Sequence, residues 1–158
     1  MTWIKPSFLW MMYRCGWASK ADQEGVLAIS MSRHGFEWAL QHGSLSHFKP
    51  GVHESQQAWH AEQATSPVRV QWDPERSLHL EALPHRSIQV GLSGEAVRRY
   101  TSEWIADLTD VTGLAHHVHD LLSAGRLDDA RAALPHEQPY PLPEPIAVRL
   151  GATPAAAT

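Results

Sequence analysis

Apolar and polar residues alternate most cleanly in Val68-Arg-Val-Gln-Trp72. Val68, Val70 and Trp72 fall on one side and Arg69 and Gln71 on the other, the signature of a half-buried strand. Ser87-Ile-Gln-Val-Gly-Leu92 repeats it, with Ser87 and Gln89 opposite Ile88, Val90 and Leu92. Leu78 and Leu80 suggest a short partner strand between them, and Asp73-Pro-Glu-Arg76 has the composition of a turn. These segments predict an antiparallel meander. Val26-Leu-Ala-Ile-Ser-Met31 predicts a further strand, with Leu27, Ile29 and Met31 sharing a face.

Helical spacing accounts for most of the rest. Ser7 is placed to cap a helix over residues 8–14, with Pro6 before it and Gly16 as its stop. Phe8, Leu9 and Met12 share one face of that helix, and Trp10 and Arg14 another. Ser32 opens a helix with Phe36 and Leu40 one turn apart, ended by Gly43; residues 43–53 then read as a loop. Residues 54–64 predict a polar helix whose one large apolar anchor is Trp59. Ser93 caps the longest pattern, residues 94–108, where Val97, Tyr100, Trp104 and Leu108 recur at helical spacing. Leu114, Val118, Leu121 and Leu122 define another helix, stopped by Gly125 and followed by a short return helix over 127–134.

Beyond Pro135 the pattern dissolves into prolines and then alanines. That change divides a domain over residues 1–134 from a tail over 135–158, expected to be extended at best, with its last residues disordered. The sum is a single α+β domain. Its sheet, antiparallel or mixed and of about four strands, is packed by C-terminal helices at 94–108 and 114–134.

A length of 158 residues suits one domain. The net charge of −4 argues against a generic DNA-coating surface, and no apolar run is long enough to span a bilayer. The start has no signal-peptide pattern, and the single cysteine, Cys15, cannot form an internal disulfide. A cytoplasmic protein without a membrane partner is the expectation. Oligomeric state and cofactor are left open.

Candidate chemistry begins at the aromatic start, where Lys5 and Arg14 flank Trp3, Trp10 and Trp17. Cations beside an indole suit an anion with a stacked ring, although core tryptophans with cations reaching to solvent give the same pattern. Glu75 and Arg76 follow a strand, where ligand-binding groups often sit. Arg86 and Gln89 lie on the third strand, and Ser93-Gly-Glu95 leads into a helix whose free N–H groups suit a phosphate. His116, His117 and His119 read as a surface cluster rather than a metal site. Gly91-Leu-Ser-Gly94 is not a nucleophile elbow, because its serine stands in a different pattern.

Two classes remain. One is an enzyme acting on a nucleotide-like anionic ligand. There Lys5, Arg14, Arg76 and Arg86 hold the anion, Trp10 stacks, Gln89 contacts the ligand, and Glu75 or Glu95 supplies the carboxylate. ADP-ribosyl transfer fits that inventory without a diagnostic motif. The other is a non-catalytic binding or protein-interaction module.

Three runs carry a resemblance: Trp3-Ile-Lys-Pro-Ser-Phe-Leu-Trp-Met-Met-Tyr-Arg14, Val70-Gln-Trp-Asp-Pro-Glu-Arg76, and Arg86-Ser-Ile-Gln-Val-Gly-Leu-Ser-Gly-Glu-Ala-Val-Arg-Arg-Tyr100. With Trp104-Ile105 and Asp110-Val-Thr112, they resemble the family catalogued as domain of unknown function 4291. The likeness extends to about Leu150, and the family brings no established activity. It also implies a preceding segment with a Tyr-Gln-Ala-Tyr-like strand that this chain lacks. Loss of a central strand would leave an unpaired edge, an aggregation hazard.

Overall fold

The computed structural model describes residues 1–152. Strand β1 (Thr2–Ile4) leads into helix α1 (Phe8–Cys15). The Ser7 hydroxyl accepts the Trp10 N–H at the start of α1, and Gly16 ends it with φ of 60°. Strand β2 (Leu27–Met31) precedes α2 (Arg33–Gln41), where the Ser32 side chain accepts the Gly35 N–H. Then come β3 (Gly43–Leu45), α3 (Gln56–Thr65), and the long strands β4 (Val68–Arg76) and β5 (Ala82–Leu92). Helix α4 (Gly94–Arg99) runs into a π turn (Tyr100–Trp104), followed by β6 (Ile105–Asp110), α5 (Thr112–Ser123), α6 (Leu127–Ala133) and α7 (Glu144–Arg149).

The fold is α+β, with one four-stranded mixed sheet in the order β1-β5-β4-β3 and a separate ribbon of β2 and β6. Within that sheet, as described, β3 and β4 pair parallel and the other neighbours antiparallel. Alternation along β4 and β5 sends Val68, Val70, Val90 and Leu92 to one face, all fully buried. Ala39 and Leu40 of α2, Ala96, Tyr100, Trp104, and Ile146 and Leu150 from the C-terminal segment cover that face. A second cluster unites Met12, Cys15, Trp17 and Ala18 with Val26, Leu78, Ala115, Val118, Leu121 and Ala130. Helices α5 and α6 therefore pack with α1, and of the expected helical cover α4 alone lies on the sheet.

Several local expectations are corrected. The helix expected over 94–108 ends at Trp104, its last five residues a π turn that carries Tyr100 and Trp104 into the core, and from Ile105 the chain pairs with β2. A Cβ on Gly35 would collide with the Trp104 indole, so glycine is required there for α2 to approach the ring. Ser93 stands at the head of α4, but its hydroxyl donates to the Pro67 carbonyl rather than capping the helix. Asp73-Pro-Glu-Arg76 is strand, with a bulge between Pro74 and Arg76, and not a turn. The reversal comes later, through Leu80 at φ of 63°, so Leu78 and Leu80 form no strand. The loop expected from residue 43 opens with β3, whose pairing is what makes the sheet mixed.

The segment past Pro135, expected as an extended tail, carries α7, whose Ile146 is 3% exposed. The Leu150 carbonyl accepts the Trp72 indole N–H at 2.9 Å, joining that segment to β4. The disorder expected for the last residues lies outside the described residues. Truncating Ile146→Ala should cost about 2–5 kcal/mol, the usual loss for a fully buried aliphatic side chain. Urea unfolding tests this; a loss well below that range would mean that α7 contributes little to the core.

Candidate functional site

The opposite face of the sheet is polar, and its register brings the candidate residues together. Trp3 pairs with Gly91, which pairs with Arg69; beside them Gln89 pairs with Gln71, and Ser87 with Asp73. Gly91 is required at this point. A Cβ there would come within 2.7 Å of the Met1 Sδ and 2.8 Å of the Trp3 ring, so its absence lets the indole lie over the strand. The Trp3 residue remains 44% exposed.

Lys5 leaves the end of β1 and turns across this face. Its Nζ donates to the Asp73 Oδ2 at 3.0 Å and more weakly to the Ser87 carbonyl at 3.4 Å. It also sits 4.0 Å from the centre of the Trp10 ring. The Lys5 side chain is only 1% exposed. Burial lowers its pKa, opposed by the hydrogen bond and charge of Asp73. The remaining Asp73 oxygen accepts the Gln71 amide at 2.8 Å. Among the described residues the buried Ser87 hydroxyl has no partner.

Between β1 and α1 opens a groove of about 640 Å³ lined by Trp3, Lys5, Trp10, Arg14, Asp22 and Gln89. Four sequence candidates, Lys5, Trp10, Arg14 and Gln89, thus meet on one concave surface. Arg14 is exposed and its Nη1 donates to the Gln23 Oε1 at 2.7 Å on the rim. No hydrogen bond joins the Gln89 amide to another described residue, although its direct neighbour Gln71 is committed to Asp73.

Glu75 and Arg76 line a different and smaller cavity of about 200 Å³, with Ser7, Leu9, Leu134, Pro135 and Glu137. The Glu75 Oε1 accepts the Ser7 hydroxyl at 2.7 Å and the Arg76 N–H at 2.8 Å. The Arg76 guanidinium lies 3.6 Å from the Tyr13 ring centre. Glu137, which the sequence pattern did not single out, accepts the Phe8 N–H at 2.7 Å at the head of α1. Loss of solvent raises the Glu137 pKa, the Phe8 bond opposes this, and the charge of Glu75 adds to it.

The other candidates lie elsewhere. Arg86 is exposed and donates to the Trp72 carbonyl. Extended β5 keeps it roughly 20 Å from Ser93, so the expected phosphate site of Arg86 with Ser93-Gly-Glu95 does not assemble. Glu95 is on α4, paired with Arg99 at 2.8 Å. Trp17 is a core ring, 6% exposed and stacked on His119. His116, His117 and His119 are exposed on α5. Among the described residues, no group of three His, Cys, Asp or Glu side chains is arranged to hold a metal ion.

Asp73→Ala would leave the Lys5 ammonium buried without its partner, and should cost about 3–5 kcal/mol. Replacing both, Lys5→Met with Asp73→Leu, should recover most of that loss in urea unfolding. Losses that simply add would show that the two charges do not depend on each other. The Glu137 pKa makes a second test. The native chain holds that proton more tightly than the unfolded chain does, so its stabilisation is complete below the ordinary value of 4.5. It is lost as pH rises through the raised folded-state value. Glu137→Gln should therefore be the more stable form at neutral pH, with the difference closing in acid. Parallel melting curves across pH would overturn this.

Neither curated proteins nor solved structures gave a match to the chain. The family model described as Domain of unknown function (DUF4291) matches residues 1–140. No helix among the described residues is long and apolar enough to cross a membrane. The motifs at the groove, from Trp3 through Arg14 and along β4 and β5, lie inside the matched span, and the chain belongs to that family.

Proposed function

We propose that this chain binds a nucleotide-like anionic small molecule in the groove between β1 and α1. The observation that supports this is the convergence of Trp3, Lys5, Trp10, Arg14 and Gln89 on that one surface. Trp3 gives a wet aromatic face for a planar ring, Arg14 a guanidinium for an anionic group, and Gln89 a donor and acceptor for the ring edge. Lys5 acts mainly by fixing Trp10, since its ammonium is already engaged by Asp73. Asp22 on the rim gives the groove both signs of charge.

Catalysis, including ADP-ribosyl transfer, has less support than binding. Glu75 faces the smaller cavity and Glu95 is on another helix, so neither proposed carboxylate shares the groove. The interaction-module reading rests on a separate observation. Leu27, Ile29 and Leu108 of the β2–β6 ribbon are 58%, 36% and 54% exposed. An apolar strand face in water is a feature of partner surfaces.

A melt followed by tryptophan fluorescence, with and without NAD, tests the ligand reading. At a hundred times its Kd, a ligand of the folded state adds about 2.7 kcal/mol and raises Tm visibly. The shift should disappear in Trp3→Leu and shrink in Arg14→Gln. A shift unaffected by either substitution would put the ligand outside the groove, and no shift with NAD, AMP or adenosine would move support to the interaction module.

A further inference from the structure

We infer that the groove selects a nucleoside or nucleoside monophosphate through its base, and discriminates against di- and triphosphates. This rests on the groove being the ligand site, and three observations carry the finer assignment.

The first is charge. Lys5 is neutralised by Asp73 at 3.0 Å. That leaves Arg14 as the cation and Asp22 as the anion of the lining, within a chain of net charge −4. A single terminal phosphate carries about −1.5 to −2 charges at neutral pH. One such group meets Arg14, and each further phosphate meets no additional cation while entering the field of an acidic protein.

The second is the state of the nearest helix terminus. Polyphosphate sites commonly use the free N–H groups at the start of a helix. Helix α1 meets the groove through Trp10, Met11 and Arg14, whereas its start, with Ser7 and Leu9, faces the smaller cavity, where Phe8 N–H donates to Glu137 and Trp10 N–H to Ser7. Glu75 also accepts from Ser7, so two carboxylates guard that end. The start of α1 is therefore not offered to a chain of phosphates lying in the groove.

The third is the Gln89 amide. It lines the groove together with Trp3 and Trp10 and makes no hydrogen bond to a described residue. Gln71, directly across on β4, is held by Asp73 and packs beside it. A carboxamide presents one donor and one acceptor side by side, the complement of the adenine edge. With Trp3 stacking the ring, Gln89 reads the edge, and Arg14 closes on the one anionic group.

Titrations of the whole chain with adenosine, AMP and ATP, read by tryptophan fluorescence, test the assignment. Adenosine and AMP should both bind, AMP the more tightly through Arg14, and the ATP Kd should be at least tenfold above that for AMP. Gln89→Leu should raise the adenosine Kd at least tenfold with the ligand-free melt unchanged. Arg14→Gln should bring AMP to the level of adenosine without weakening adenosine. Affinity that rises with each phosphate would overturn the inference and leave the groove reading standing. So would NAD binding through the groove with no binding of these three. Unchanged adenosine affinity in Gln89→Leu would also overturn the base-reading assignment. No binding by any of the four ligands would overturn groove and inference together.

Discussion

The arrangement of this domain depends on one buried ion pair. Lys5, just past β1, and Asp73 of β4 meet on the polar sheet face across the intervening strand β5. Burying two charges costs several kcal/mol per ion, and that cost is offset only when the geometry satisfies both. Here Asp73 accepts from Lys5 and Gln71, while Lys5 has Asp73, the Ser87 carbonyl and the Trp10 ring. The pair holds the three-residue strand β1 against much longer neighbours. Through Trp10 it also fixes how α1 lies on the sheet. Trp3 and Trp10 are therefore set by the same contact, and the groove is the space they leave.

Helix α1 lies between the α5–α6 cluster and the polar face of the sheet. Its Met12 and Cys15 belong to the α5–α6 cluster, while its Trp10 faces the sheet. The chain must then reverse sharply, and it does so with three successive left-handed residues: Gly16, Trp17 at φ of 58° and Ala18 at 62°. Each such non-glycine residue costs on the order of 1–3 kcal/mol. Burial of Trp17 and Ala18, the stack of Trp17 on His119, and the Ala18 N–H to Cys15 Sγ bond offset it. The reversal returns Ala21, Asp22 and Gln23 to the groove rim, where Gln23 receives Arg14. Strain in one turn thus completes the opposite wall.

Local rules were readable wherever local forces decide. Ser7, Ser32 and Gly16 marked helix ends because caps act within one turn. Alternation in β4 and β5 showed which residues face the core, and the resemblance carried by the same runs identified the family. Periodicity held through Tyr100 and Trp104, which stay helical in the π turn with Trp104 packed on Gly35 and Trp38, and failed at Leu108, which pairs with Ile29 in the ribbon. Asp73-Pro-Glu-Arg76 has turn composition, yet Lys5 and the register with β5 keep it extended. Asp73 shares the parity of Arg69 and Gln71, so its place on the polar face was visible once the strand was allowed to continue. Glu137 had no such signal, because a contact to Phe8 across the whole chain has no sequence period.

The same accounting separates binding from catalysis. A group that moves a proton needs a lone pair facing the reacting atom. Both Asp73 oxygens are taken, Oδ2 by Lys5 and Oδ1 by Gln71. Glu75 has Oε1 occupied twice and lies in the neighbouring cavity. Gln89 and Trp3, by contrast, retain open polar and aromatic surface, and neither can act as an acid or a base at neutral pH. Asp22 on the rim apart, the groups free to meet a ligand are those that recognise shape, ring and edge, while Asp73 is spent on holding Lys5. That division of labour is what a recognition site requires, and it is the physical reason for preferring binding to chemistry in this groove.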